Sequence, residues 1–143
     1  MASANKFNAF VEHVAEGVHD LGSDTLKVLL SNAAPSGSGD AVRGDLTSEL
    51  ITGGGYTSGG TQASLTSSSQ TSGTYKLVLQ DVVFTATTGG IGPFRYTVLY
   101  NDTPTLPADP LILYWDYGSS ITLADGETFT WDADATAGVL TIT

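Results

Sequence analysis

Cysteine is absent from this chain, which excludes disulfides and thiolate metal sites and leaves packing alone to hold the fold together. Charge is scarce as well, at 14% of residues, and basic charge is scarcer still. Lys6, Lys27, Arg43, Lys76 and Arg95 stand against fifteen acids, giving a formal charge of −10 at pH 7. Beyond Arg95 there are seven acids and no base. Affinity for nucleic acid comes largely from cations that displace phosphate counterions, so DNA, RNA and anionic membranes are not expected partners. Long apolar runs are also missing. Glu12, His13, Glu16, His19 and Asp20 interrupt the N-terminal apolar positions, which excludes a signal-peptide core or a membrane span there. The expectation is a soluble protein made in the cytoplasm.

What the chain does have is a composition suited to strands and turns. Hydrophobic residues make up 41%, with 17 glycines and five prolines. A chain of 143 residues suits one domain and buries roughly two-thirds of its unfolded surface, so residues 1–143 are expected to form a single domain. Disordered chains carry more charge and fewer aliphatics, so this one should fold.

Phe7, Phe10, Val11, Val14, Val18 and Leu21 share one helical face, and Glu12, Glu16 and Asp20 repeat on another. Ser3 or Asn5 is placed to cap the start and Gly22 to end the helix in the left-handed conformation, which predicts an amphipathic helix over 5–21. Such a stripe either covers the chain's own sheet or docks into a neighbouring subunit. Phe7, Phe10 and Val14 are therefore the candidate protein-interface residues. If the phenylalanines fold back, attachment falls to loops such as 35–40 and 53–73.

Residues 25–143 read as a mainly β domain, a β-sandwich or jelly roll of about eight short strands. The first covers 25–30 with Leu26, Val28 and Leu30 inward. Pro35 to Asp40 breaks the pattern, and 41–51 forms a short helix or turn. From Gly53 to Gly73 the chain is nearly all Gly, Ser, Thr and Gln, which predicts a loop or a weak exposed strand over 61–67. Stretches at 75–79, 82–86, 94–100, 111–115, 121–123, 127–131 and 139–142 are rich in β-branched and aromatic residues and bounded by turn formers. Asp125-Gly126 carries the signal of a tight hairpin. The last strand either pairs internally or offers an edge to another subunit.

The residues point to no catalysis. His13 and His19, the only imidazoles, lie six apart on the expected helix and face different ways as solvated side chains, and no Gly-x-Ser-x-Gly turn is present. Asp116 between Trp115 and Tyr117 has the form of a sugar-binding acid, but also of a strand end. Asp132-Ala133-Asp134 spaces oxygen ligands as a calcium loop does, yet Ala137 stands where such a loop needs glycine. The glycine runs at 53–55 and 59–60 lack the lysine and following helix of a phosphate cradle. No catalytic, cofactor-binding or metal residue is expected.

Several stretches taken together resemble a known group. They are Lys6-Phe7-Asn8-Ala9-Phe10-Val11-Glu12, Gly22-Ser23-Asp24-Thr25-Leu26-Lys27-Val28, Ser72-Gly73-Thr74-Tyr75-Lys76-Leu77, Ile91-Gly92-Pro93-Phe94-Arg95-Tyr96, Trp115-Asp116-Tyr117-Gly118-Ser119 and Leu123-Ala124-Asp125-Gly126-Glu127-Thr128-Phe129. In this order they look like small virion structural proteins of tailed phages and prophages, over almost the whole chain. The resemblance implies a non-enzymatic decoration (cement) protein on the capsid exterior, made in the host cytoplasm. Its implied partners are the major capsid protein and copies of itself in a homo-oligomer. A tail or head–tail connector component is the nearest alternative. A host-surface or glycan-binding module, stacking sugars on Trp115, Tyr117 and Trp131, is the next.

Overall fold

The computed structural model describes residues 2–143 and is mainly β, with ten strands in antiparallel sheets and one short N-terminal helix. In chain order these are β1 (Ala4–Lys6), α1 (Asn8–Ala15), β2 (Leu26–Ser31), β3 (Thr61–Gln62), β4 (Leu65–Thr71), β5 (Thr74–Leu79), β6 (Val82–Thr85), β7 (Ile91–Asn101), β8 (Leu111–Leu123), β9 (Thr128–Trp131) and β10 (Leu140–Ile142). A single 3-10 turn, Arg43–Asp45, falls in the stretch expected to be a short helix or turn. The sheets run β1-β8-β7-β2-β3, β10-β5-β4 and β6-β9.

The largest sheet is buried on both faces at its centre, along β2, β7 and the first half of β8. Leu26, Val28 and Leu30 of β2, with Leu99 and Ile112, point to the main core, where Leu77, Leu79, Phe84 and Trp131 of the two smaller sheets meet them in sandwich fashion. The inward set expected for β2 is thus correct. Leu29, Val98, Tyr100 and Leu111 face the other way into a second core under Leu46 and Tyr114. Period-2 alternation places successive side chains on opposite faces, and here both faces are covered.

Three sequence expectations are corrected. The helix spans Asn8–Ala15 and not 5–21, because Ala4–Lys6 pairs with Leu113–Trp115 of β8 and Gly17, at φ 74°, turns the chain before Gly22 is reached. Backbone pairing with a long strand outweighs helix propensity, which is a weak local preference. The stretches at 111–115 and 121–123 are one strand, β8, bent through Gly118 and paired with β7 along both halves. The Asp125-Gly126 turn exists, with the Glu127 N–H donating to the Ala124 carbonyl at 2.9 Å, but it joins β8 to β9, which belong to different sheets. It moves the chain between layers and closes no ladder.

The Gly/Ser/Thr-rich region is ordered by its neighbours. Gly54 adopts φ 60° with its α-carbon so close to Gly90 that a Cβ would collide with the Gly90 carbonyl. Further on, β4 pairs with β5 from Leu65↔Leu79 to Thr71↔Thr74, through a two-residue turn in which Ser72 (φ 51°) and Gly73 (φ 83°) are both left-handed. That is the turn whose twist matches a hairpin. The weak exposed strand expected at 61–67 is therefore two, β3 and β4, with β4 running further, to Thr71.

Candidate protein-docking surface

Phe7 and Phe10 stand three residues apart and enter different cores. Phe7 is the extended residue ahead of α1, fully buried in the second core with its ring 5.1 Å from Tyr114. Phe10 lies on the inner face of α1 and joins the main core. Burying a phenylalanine is worth about 1.5–3 kcal/mol, so neither is available to a partner without a comparable loss of internal packing. Two of the three candidate interface residues thus belong to the chain's own fold. The reason is topological: β1 carries the N-terminus along the edge of the large sheet and leaves Phe7 on one side of it and α1 on the other.

Val14, the third, is half-buried and lies on a groove of about 300 Å³ between α1 and β10. Val11, 53% exposed, and Ile142, 38% exposed, form its apolar walls with Val14 and the rim of Phe10, while Lys6 and Thr143 supply the polar margin. β10 pairs with β5 through Leu140↔Leu77, Thr141↔Lys76 and Ile142↔Tyr75, and no described strand takes its other side. The groove therefore combines a half-exposed helix face with a sheet edge whose backbone groups are open to pairing. The last strand does both things the sequence allowed, pairing internally on one side and offering an edge on the other.

Four of the five cations find partners within the chain. Arg43 donates to both carboxylate oxygens of Glu49 at 2.8 and 3.1 Å and lies 3.8 Å from Asp109. Arg95 grips Asp116 through two bonds of 2.7 and 2.9 Å, and Lys27 pairs with Asp102 at 2.8 Å. Arg95, joined by the Gly118 N–H, holds the Asp116 carboxyl below the usual carboxylate range. Lys76 donates to the Thr136 carbonyl. With these cations engaged internally, the remaining acids dominate the outer surface.

The other sequence candidates resolve differently. Trp115 is 9% exposed and meets Trp131, 1% exposed, edge to face at 5.2 Å. Tyr117 packs edge-on against Phe129 at 5.1 Å. The two tryptophans are core and Tyr117 is partly buried against it, so neither tryptophan presents an open ring face for a sugar to stack on. The carboxylates of Asp132 and Asp134 accept backbone N–H bonds within their own turn, from Asp134, and from Thr136 and Ala137, respectively. Among the described residues no three His, Cys, Asp or Glu side chains gather in a metal-binding group. No described helix is long and apolar enough to cross a membrane.

Loop 35–40 is tied down as well. Its Gly37 carbonyl accepts the Asn8 N–H at 2.8 Å, fixing the first turn of α1. His13 and His19, read from the sequence as solvated and divergent, come together with ring centroids 6.0 Å apart. Sequence spacing misplaced them because the helix stops at Ala15. Gly17, five residues ahead of the glycine taken as the terminator, was the local signal for it. No family model, curated protein or solved structure matches the chain.

Proposed function

We infer that the chain is a non-enzymatic structural component of a tailed-phage particle, of the capsid decoration type, which binds the major capsid protein and copies of itself on the capsid exterior. The observation that carries this reading is the groove between α1 and β10, which takes the place of loops 35–40 and 53–73 as the attachment surface even though Phe7 and Phe10 fold back. An open sheet edge beside an apolar helix face is the geometry by which an extended segment of another chain adds a strand, with main-chain bonds giving affinity and side-chain pockets giving choice. Two further features support it. The acidic surface keeps such a protein away from the packaged genome, and a small groove repeated in many symmetric copies gains by multivalency. The order of turn and strand motifs resembles small phage virion proteins, as set out above.

Quantitative mass spectrometry of purified virions tests the assignment. A decoration protein is present on the order of one hundred copies or more, whereas a count of about six or twelve would replace this reading with a tail or connector ring. Val11→Asp places a charge in the groove on a side chain already half exposed. The variant should fold and unfold like the parent but lose its attachment to particles. Unimpaired attachment would move the contact to another face.

A further inference from the structure

His13 and His19 form a cluster to which the groove assigns no role. Phe10 lies 5.2 Å from the His19 ring, and His19 Nδ1 sits 3.1 Å from Nδ2 of Asn101, a fully buried residue at the end of β7. The orientation of the Asn101 amide is fixed from two other directions. Its Oδ1 accepts the Thr103 N–H at 3.1 Å, and its Nδ2 donates to Asp24 Oδ2 at 2.6 Å. The amide therefore presents N–H to His19, so His19 Nδ1 accepts and carries no proton. The ring is neutral with its hydrogen on Nε2. That Nε2 and His13 Nδ1 are both buried without a hydrogen-bond partner.

We propose that His19 is an acid-sensitive latch, holding α1 and segment 16–24 against the end of β7 while neutral and releasing them when its ring takes a second proton. A proton on Nδ1 would set one N–H against another and destroy the bond to Asn101. It would also place a cation beside His13. The groups around the ring are His13 from α1, Asp20 and Asp24 from the segment itself, and uncharged Ser68 and Tyr75 from β4 and β5 across a shallow depression. Burial pushes the His19 ring down to about 4, with His13 adding to the shift and Asp24 opposing it. The native state thus binds fewer protons than the unfolded chain once pH drops below about 6.5, and stability falls with pH until about 4, where both states are charged. Release carries away Leu21, now 9% exposed, and opens the side of the molecule where Ile142 lies. The latch holds whether or not the shell-binding reading does.

Proton–nitrogen correlation spectra of the histidine rings, recorded on the intact chain from about pH 7 to pH 3, test this directly. The expected result is an Nε2-protonated His19 with a midpoint near 4, while amide protection over 18–24, corrected for intrinsic exchange, falls about tenfold between pH 6 and 4 and that of β7 and β8 holds. In His19→Gln the side-chain oxygen accepts from Asn101 and cannot titrate, so the segment should stay protected. A His19 midpoint near the ordinary 6.5 overturns the proposal. Equal loosening of the segment in the variant also overturns it, since the carboxylates would then be responsible. Should the variant fail to fold, the ring titration of the parent chain decides alone.

Discussion

β2 and β4 are strands of nearly equal length held by different means. β2 reads Leu-Lys-Val-Leu-Leu-Ser and is buried on both sides, whereas β4 reads Leu-Thr-Ser-Ser-Ser-Gln-Thr and is exposed along almost its whole length. The first is ordered by side-chain burial in two cores. The second is ordered by its ladder with β5 and by a turn that only a permissive backbone can make. One molecule thus contains a sheet specified by packing and a sheet edge specified by backbone geometry, and substitutions should separate them.

The largest separation comes from truncating apolar side chains. Leu99→Ala, at a fully buried position, should cost about 2–5 kcal/mol in urea unfolding, while Leu65→Ala on β4, 42% exposed, should stay within about 0.5 kcal/mol. Equal losses would mean that β4 is also held by packing. Next comes the turn: Gly73→Ala, at φ 83°, should cost about 1 kcal/mol and raise hydrogen exchange in β4 and β5 before it does so in β7. The smallest effect belongs to the Lys27–Asp102 pair, whose side chains are 31% and 33% exposed. Lys27→Met should change stability by less than about 1 kcal/mol, and the change should shrink as salt is added. A loss above that range would extend the burial seen around β2 to its one charged residue.

The same contrast explains what was legible in the sequence. β5, β6, β7 and β9 fall where β-branched and aromatic residues cluster, because their buried positions demand those side chains, and β10 carries the same residue types although it is largely exposed. β4 was only partly legible, since a strand held by its backbone needs no apolar pattern. Of the candidate interface residues, Val14 reached the groove, but helical periodicity could not show that Phe7 precedes the helix and crosses to the far side of a sheet. Asn101 and Asp24, which meet at His19, are 77 residues apart, and no local pattern in the sequence joins them. Contacts of that kind exist only after β2 and β7 have paired. Trp115 and Trp131 teach the reverse lesson: aromatic side chains beside acids looked like a binding surface and are core, because both occupy strand positions that face the sandwich interior.

Phe7 and Phe10 give the two ends of the molecule unequal mechanical strength. Seated on opposite faces of the large sheet, they straddle its edge like the jaws of a clip, so tension applied through the N-terminus must extract both rings and shear the β1–β8 ladder together. Tension applied through residue 143 meets only the three-residue ladder of β10, which can be peeled from β5 one pair at a time. Under load the chain should yield from its β10 side first, and a partner strand laid along that edge would act as a splint where the fold is weakest.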